Sequence, residues 1–351
     1  MQTVSAAGGL LTHAFVLLGV LMMLHPAKCF VMRSGISVTS SSRLSRAGHG
    51  AGRFYQRNQQ AVSMTATQRP LSTAAPVTTE IAKLNYIDFN PATDTTQNTP
   101  VIIMHGLLGN CKNFQSWGAK LVGLLERPRR VFAVDMRNHG ASSHHASMTY
   151  PDMAGDIVAF MEQRGLGKAV LVGHSMGGKV ACMTALLHPE RVQGLVVMDI
   201  APVPYSVVDQ TNWGETQRII EAITKLDISG VTSRRDADGL LEKDIVDPMI
   251  RAFAVTNLEK DEGAAGGWGW RINVPAIHKG LSGLAQFEVK PGKDASKAGL
   301  KFQGDTLFIA GALFPRHTLQ TLPKAGHWVH ADDPAGTQGA VKMYLDRAEC
   351  P

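Results

Sequence analysis

The sequence predicts an α/β fold with a mostly parallel central sheet and helices on both faces. From Glu80 onward, short apolar runs alternate with segments of helical periodicity, and this part of the chain has no internal repeat or low-complexity segment. The runs are continuously apolar, as expected for parallel strands that are covered on both faces. Glycine-containing turns follow two of them, at "HGLLGN" and "GHSMGG". With 351 residues, the chain is long enough for a large, well-buried core.

The predicted elements can be placed in order along the chain. The first half comprises an edge strand "KLNYIDF", a buried strand "TPVIIMHG", a helix around residues 113–126, the strand "RVFAVD" and a helix that begins near Pro151. Proline suits the first turn of a helix, where a backbone N–H is not needed. The strand "KAVLVGH" then runs directly into a helix from Met176, which ends before Pro189, and "VQGLVVMD" is the next strand.

Residues 205 to about 290 interrupt this alternation. They have the pattern of several helices of mixed polarity without a clear buried strand, and we expect them to form a helical lid over the sheet. The strands "DTLFIAG" and "TLQTLP" then resume the sheet, and residues 334–348 close the domain as a helix. The folded domain is therefore expected to span residues 80–351.

The first 79 residues differ in composition from the rest of the chain. They contain no Asp or Glu but seven basic residues, and removing these from the formal charge of +6 leaves −1 for residues 80–351. The excess positive charge thus lies in this leader and not in residues 80–351. The basic pI is therefore no argument that the domain binds nucleic acid. Residues 8–24 form an uncharged apolar run of signal-peptide length, and residues 32–79 have the Ser, Thr, Ala and Arg content of a transit peptide.

The leader predicts delivery to an organelle. An apolar signal followed by a transit-like stretch resembles the bipartite leaders of plastids acquired by secondary endosymbiosis. If Met32 is the start, the same composition predicts a mitochondrial presequence that ends near Arg69. A third alternative is a membrane anchor at residues 8–24 with a disordered stalk. We expect the mature domain to be soluble, with membrane contact only through the leader.

No metal or cofactor site is predicted. The four cysteines, Cys29, Cys111, Cys182 and Cys350, lack the spacing of a metal site or a disulfide framework, and we interpret them as ordinary thiols. A zinc site at His327 and His330 would require a helix that carries both imidazoles and a third ligand, and the surrounding pattern is not helical.

A candidate nucleophile lies between a strand and a helix. Residues 173–178, "GHSMGG", have the Gly-x-Ser-x-Gly pattern. In this context side chains at Gly173 and Gly177 would collide across the tight turn, and Ser175 projects above the carboxyl edge of the sheet. The pattern alone is weak, but its position after an apolar strand predicts a nucleophilic serine. Phosphate binding is disfavoured because no Lys-Ser/Thr pair closes the loop.

The HGLLGN loop, residues 105–110, follows the earlier buried strand, where the second half of an oxyanion hole is expected. The backbone amides of Leu107 and Met176 are the predicted donors to a developing oxyanion. We interpret four further residues as supports of this loop and of the "DMRNHGASS" loop rather than as catalytic groups: His105, Gly106, Arg137 and His139.

His327 is the predicted general base. It lies in "AGHWVH", just after the last strand, and a glycine before it allows a close turn. It also follows Ser175 in the chain order that this mechanism requires.

The acid must come from a distant part of the sequence, because residues 307–330 contain neither Asp nor Glu. Asp305 starts its strand, which places it about 20 Å from the carboxyl edge of the sheet. Asp332 and Asp333 would have to fold back toward the histidine. Asp199 ends the strand beside the serine strand, at the edge where ligands bind in open α/β sheets. It is therefore the predicted acid, with a capping role at the following turn as the alternative.

Five motifs together resemble the α/β-hydrolase superfamily, in particular the esterase branch that includes abhydrolase domain-containing protein eleven. They are "MHGLLGN", "DMRNHGAS", "GHSMGGK", "VMDIAPV" and "AGHWVHADDP", and the resemblance covers residues 98–348. In that branch the acid stands in a D-I-A-P context 24 residues after the serine, as Asp199 does here. The resemblance implies a serine hydrolase of carboxylic esters or thioesters with Ser175 as nucleophile, His327 as base and no cofactor.

Two alternatives stay open within this fold. One is a plastid lipid or pigment-ester hydrolase, with the lid setting the substrate. The other, from a different functional class, is a binding or regulatory protein that keeps the pocket without turnover.

The connection between the last two strands departs from the family pattern. Family members usually have a loop and a helix there, whereas only about residues 312–317 intervene in this chain. Parallel strands usually need a connection of a dozen or more residues. Either the two strands pair differently, or the gene model has lost an exon, and we favour the second explanation.

Overall fold

The computed structural model describes residues 80–93, 98–204, 210–264, 266–288, 300–307, 317–318, 322 and 327–347. The predicted leader, with its signal-like and transit-like segments, lies outside the described residues, as do Cys29 and Cys350.

The described strands confirm the predicted mostly parallel sheet. They are β1 (Tyr86–Asp88), β2 (Val101–Met104), β3 (Val131–Val134), β4 (Ala169–His174), β5 (Val192–Met198), β6 (Leu258–Lys260), β7 (Trp268–Trp270), β8 (Asp305–Leu307) and β9 (His317–Thr318). The sheet has the order β1-β3-β2-β4-β5-β8-β9, while β6 and β7 form a separate antiparallel pair. Within the sheet, β1 is antiparallel to β3, and the other neighbouring strands are parallel.

Helices connect the strands as the alternating pattern predicts. They are α1 (Gln115–Leu124), α2 (Tyr150–Gln163), α3 (Met176–Leu187), α4 (Gln210–Lys225), α5 (Arg234–Leu241), α6 (Pro248–Val255), α7 (Val274–Ala285), α8 (Val329–Asp332) and α9 (Pro334–Arg347). Short 3-10 turns precede α1, at Cys111–Phe114, and β5, at Pro189–Arg191. Thr149 caps α2, with Pro151 in the first turn as expected.

Side chains that alternate along each strand belong to two apolar clusters, one on each face of the sheet. Ile102 and Met104 of β2 lie in the cluster covered by α2 and α3, whereas Val101 and Ile103 lie in the cluster covered by α1 and α9. All four side chains are fully buried. Burial on both faces explains why the strands are continuously apolar in sequence.

Helices α4 to α7 lie between β5 and β8, in the segment predicted to be a helical insertion. Part of this segment has its own small apolar cluster, which includes Leu241, Leu258 and Trp268. Helix α7 instead joins the main core through Ile277 and Leu281. The β6–β7 hairpin was not predicted, because in β6 only Leu258 is buried and the following two residues are exposed.

The last two strands are parallel neighbours, and Thr306 pairs with His317. An altered pairing therefore does not explain the short connection, whose residues 308–316 lie outside the described part of the chain. The expectation that the sequence around His330 is not helical was wrong, since the single turn of α8 contains this residue.

Candidate active site

Ser175 lies at the sharp turn between β4 and α3, at the carboxyl edge of the sheet. Its backbone has a φ of 50° and a ψ of −117°, a conformation that L-residues adopt only when the surrounding structure enforces it. The Ser175 N–H donates to the Met198 carbonyl at the end of β5, at 3.0 Å. The neighbouring strand thus holds the turn in this conformation.

Two glycines make this turn possible. A Cβ atom on Gly173 would lie 2.2 Å from the Gly177 carbonyl oxygen, and one on Gly177 would lie 2.5 Å from the Met104 carbonyl oxygen. Both distances are far below a van der Waals contact. Side chains at these positions would force β4, α3 and the end of β2 apart, as the sequence pattern indicates.

Asp199 and His327 are brought together although they are 128 residues apart. Asp199 follows β5 with a φ of 54°, a second strained backbone position at the same edge of the sheet. Its Oδ2 atom lies 2.5 Å from Nδ1 of His327. A histidine that donates its Nδ1–H to a carboxylate carries its lone pair on Nε2, where it can accept a proton.

His174 links this histidine to the serine turn. Nε2 of His174 donates to the backbone carbonyl of His327 at 2.8 Å, and the centres of the two imidazole rings lie 5.0 Å apart. Burial, reinforced by the proximity of His327, holds the pKa of His174 well below its ordinary value, so that its ring stays neutral. Sequence reasoning did not single out His174, although its position directly before Ser175 was a usable signal.

His105 anchors the HGLLGN loop. Its Nδ1 donates to the Gly106 carbonyl at 2.7 Å, and its Nε2 accepts from the Met136 N–H at 2.9 Å. Burial lowers the pKa of His105, although nearby Asp135 acts in the opposite direction. A neutral ring with one donor and one acceptor nitrogen satisfies both bonds at once.

His139 holds the next part of the same loop. Its Nε2 accepts from the Leu108 N–H at 3.2 Å, while its Nδ1 donates to the Arg137 carbonyl at 2.9 Å. Burial is the main reason that the pKa of His139 falls to about 3. The ring is therefore neutral at physiological pH.

The Arg137 side chain does not contact the HGLLGN loop. Its guanidinium binds both carboxylate oxygens of Asp156 in α2, at 2.6 and 2.7 Å, and donates to the Ser147 carbonyl. The buried charge is neutralised by this two-point ion pair. Arg137 thus braces the DMRNHGASS loop against α2, while its neighbours Met136 and His139 bind the HGLLGN loop.

The HGLLGN loop directly adjoins the serine. A Cβ atom on Gly106 would lie 3.3 Å from Cβ of Ser175. The Leu107 N–H has no hydrogen-bond partner among the residues that the structure describes. Met176 is the first residue of α3, where backbone N–H groups lack a partner within the helix. Two backbone donors therefore lie close to Ser175.

Lys179, one turn into α3, is a second residue that sequence reasoning missed. Its side chain is fully buried, and Nζ donates to the Val203 carbonyl at 3.0 Å. Burial lowers the pKa of Lys179 to about 7. This contact ties the helix behind Ser175 to the segment that follows Asp199.

The described cysteines are not arranged as metal ligands. Cys111 and Cys182 are buried free thiols, and burial followed by the charge of Asp135 raises the pKa of Cys111 to about 12. No group of three or more His, Cys, Asp or Glu side chains that could hold a metal ion occurs within the described ranges.

No described helix has the length and apolar character of a membrane span.

Comparisons with known proteins agree with this architecture. Residues 99–225 match the family model described as alpha/beta hydrolase fold. The sn-1-specific diacylglycerol lipase ABHD11 of Danio rerio is 37% identical over 78% of this chain and 84% of that protein. Esterase YbfF of Escherichia coli (strain K12) is 30% identical over 75% of this chain and 99% of that protein. A solved marine microorganism esterase has a TM-score of 0.65 at 28% identity, covering 75% of this chain and 99% of its own. The chain therefore belongs to the α/β-hydrolase family, in its esterase branch.

Proposed function

We propose that this protein is a serine hydrolase that cleaves carboxylic esters through an acyl-enzyme formed on Ser175. The observation that carries the proposal is the hydrogen bond between Asp199 and Nδ1 of His327, at 2.5 Å, beside a serine on a strained turn. A nucleophile, a base and an orienting acid in this chain order are the components of acyl transfer by a serine enzyme.

In the first half-reaction, the Ser175 hydroxyl oxygen attacks the acyl carbon and its proton passes to Nε2 of His327. Asp199 keeps the ring in the required tautomer and stabilises the imidazolium that forms. Collapse of the tetrahedral intermediate breaks the bond to the leaving group, which takes the proton from His327. Water then attacks the acyl-enzyme with His327 as base, and the carboxylic acid is released.

The backbone amides of Leu107 and Met176 are the proposed donors to the oxyanion. Two observations support this role: the Leu107 N–H has no hydrogen-bond partner among the described residues, and Met176 lies at the start of α3. Donors of this kind contribute roughly 3 to 4 kcal/mol each, because they are in place before negative charge develops.

The substrate class follows from the relatives. Those named above are described as a diacylglycerol lipase and as esterases, and the Danio rerio protein aligns over most of its length. We infer that the substrate of this chain is a carboxylic ester, or a thioester with the same acyl chemistry. Lipid esters lie within this class, and the insertion between β5 and β8 would then select among them.

The replacement Asp199→Asn tests the proposed acid. An asparagine at this position cannot stabilise the imidazolium and favours the wrong tautomer of His327, so we expect kcat to fall on the order of 10⁴-fold. The measurement is steady-state hydrolysis of a short-chain nitrophenyl ester by the purified protein.

Asp305→Asn is the matched control, because this exposed carboxylate starts β8 at the opposite edge of the sheet. Its kcat should equal that of the wild type. An Asp199→Asn enzyme with undiminished kcat would mean that another carboxylate serves the histidine. Failure of Ser175 in the folded protein to react with a fluorophosphonate would favour the non-catalytic alternative.

A further inference from the structure

Asn257, two residues after the end of α6 in the insertion, contacts the HGLLGN loop. The residue is fully buried, and its Nδ2 donates to the Leu108 carbonyl at 2.8 Å. A second, longer bond of 3.3 Å runs from Nδ2 to the Ala254 carbonyl at the end of α6. The Asn257 side chain is thus a direct polar link between the insertion and the loop beside Ser175.

Leu108 requires such support because its backbone is strained. It has a φ of 62°, a region that leucine rarely adopts. Its N–H is held by His139, at 3.2 Å, and its carbonyl is held by Asn257. Both polar backbone groups of this residue are therefore fixed by buried side chains.

The Leu107 N–H belongs to the peptide unit between Gly106 and Leu107, which precedes the unit that carries the Leu108 N–H. The carbonyl of that unit, on Gly106, accepts from the Gly109 N–H at 3.0 Å and from Nδ1 of His105 at 2.7 Å. In a planar trans peptide the N–H points opposite to the carbonyl. The bonds that hold the Gly106 carbonyl therefore direct the Leu107 N–H to the opposite side of this peptide unit. The fixed backbone of Leu108 keeps the turn from rotating.

We propose that Asn257 is a positioning residue that keeps the Leu107 amide aimed at the oxyanion. The proposal rests on the proposed function, since it takes Leu107 as an oxyanion donor. Without the amide of Asn257, the Leu108 carbonyl loses its buried partner and the strained residue can relax. The bond from the Gly109 N–H to the Gly106 carbonyl spans Leu107 and Leu108, so it weakens when Leu108 relaxes, and the Leu107 N–H turns away from the substrate. The insertion thus takes part in catalysis through the Asn257 contact.

The Asn257 side chain is satisfied at its Nδ2 end only. The Oδ1 atom of Asn257 is buried and has no hydrogen-bond partner in the described part of the chain. An unpartnered buried polar atom costs about 1 to 3 kcal/mol. An apolar side chain of similar size would avoid this cost but could not bind the Leu108 carbonyl.

The test compares Asn257→Leu and Asn257→Asp with the wild type. For both variants we expect kcat for a nitrophenyl ester to fall by about 10- to 100-fold with little change in KM, because a misplaced donor weakens the transition state and not substrate binding. Rates are expressed per active site, counted by complete fluorophosphonate labelling of Ser175. Affinity for a trifluoromethyl ketone, whose adduct carries an oxyanion, should fall by a similar factor.

Thr256→Val is the matched control. The exposed Thr256 hydroxyl donates to the Phe253 carbonyl at 2.6 Å, so this variant also loses a hydrogen bond at the end of α6 without touching Leu108. Its kcat and ketone affinity should match those of the wild type.

The aspartate variant adds a pH signature that a merely structural role would not produce. A carboxylate cannot donate to the Leu108 carbonyl, whereas a protonated carboxyl group can. Burial favours the protonated form. The deficit of Asn257→Asp relative to the wild type at the same pH should therefore shrink as the pH is lowered from about 8 to about 5.

The outcomes separate this inference from the proposed function. If both Asn257 variants retain wild-type kcat and ketone affinity while Ser175 is labelled, the inference is overturned and the serine mechanism stands. A loss of thermal stability with unchanged kcat per active site also overturns it. If wild-type Ser175 is not labelled at all, both proposals fail.

Discussion

At the scale of single residues, the candidate site depends on contacts between residues far apart in sequence, such as the hydrogen bond between His327 and Asp199. Asp199 could be predicted because a strand that ends in a carboxylate beside the serine strand has few structural explanations. The position of His174 beside Ser175 marks it as a neighbour of the site, but the sequence does not show which group it binds, nor which group Asn257 binds, because each binds a backbone carbonyl distant in sequence, His327 and Leu108 respectively. No periodicity or spacing reports such contacts.

His330 should make the protein sensitive to acid. Its ring stacks on Phe114 at 4.4 Å, its Nδ1 has no partner among the described residues, and burial followed by the charge of His327 lowers its pKa from 6.5 to about 4. Between these two pH values the unfolded chain binds a proton at this position that the folded protein does not. The free energy of unfolding therefore falls as the pH is lowered from 6.5 to 4.

Urea unfolding of the wild type and of His330→Asn at several pH values between 7 and 4 measures this effect. The variant lacks the titrating ring, so its free energy of unfolding should fall less steeply as the pH is lowered. The difference between the two slopes should be up to about 1.4 kcal/mol per pH unit. The exposed His144 provides the control His144→Asn, which should follow the wild-type slope. Identical slopes for His330→Asn and the wild type would contradict the expected titration.

At the scale of elements, the strands of the sheet and the helical character of the insertion were predictable, whereas the β-hairpin inside the insertion was not. A strand buried on both faces is apolar along its whole length, as in β4, and this pattern is visible in sequence. In the β6–β7 hairpin only one residue of β6 is buried, so no such run exists. Helix α8, a single turn, is likewise too short for periodicity to reveal.

Tyr344 joins helix α9 to two strands at once. Its hydroxyl accepts from the Leu195 N–H of β5 at 3.0 Å and donates to the Asp305 carbonyl of β8 at 2.5 Å. Tyr344→Phe leaves the buried Leu195 N–H and the partly buried Asp305 carbonyl without this partner, so we expect the protein to lose about 1 to 3 kcal/mol of stability. Activity at saturating ester should be unchanged, because Asp305 starts β8, away from the carboxyl edge.

Tyr86→Phe provides the comparison for this replacement. The Tyr86 ring packs against Phe132 and Phe160, but its hydroxyl makes no hydrogen bond to any residue the structure describes. Its loss should change the free energy of unfolding little, as measured by chemical denaturation. Equal losses in the two variants would show that the Tyr344 hydroxyl contributes nothing specific to the junction of β5, β8 and α9.

At the scale of the whole molecule, composition divides the chain into two parts, residues 1–79 and residues 80–351. We propose that residues 1–79 deliver the hydrolase domain to an organelle, on the basis of the apolar run at residues 8–24 and the acid-free, Arg-containing stretch at residues 32–79. A fusion of residues 1–79 to a fluorescent reporter should therefore accumulate inside an organelle and be shortened by removal of the leader.

Fusions of residues 1–31 and of residues 32–79 distinguish the two kinds of leader. A bipartite plastid leader needs both parts, so neither fusion alone should reach a plastid. A mitochondrial presequence that starts at Met32 should direct its reporter without the first part. An uncleaved reporter that stays at a membrane would contradict organelle delivery and support an anchor at residues 8–24.

The position of α9 at the end of the chain has a consequence for how the protein is made. Trp117 of α1 binds Thr337 and Gln338, at 2.9 and 3.0 Å, across more than 200 residues of sequence. The face of the sheet shared by α1 and α9 therefore stays only partly covered during synthesis until α9, which follows every described strand, has left the ribosome. Domains generally fold as units during synthesis, and exposed apolar surface in an incomplete domain is prone to aggregation. The nascent domain should accordingly need protection by chaperones from the time its strands emerge until α9 has been made.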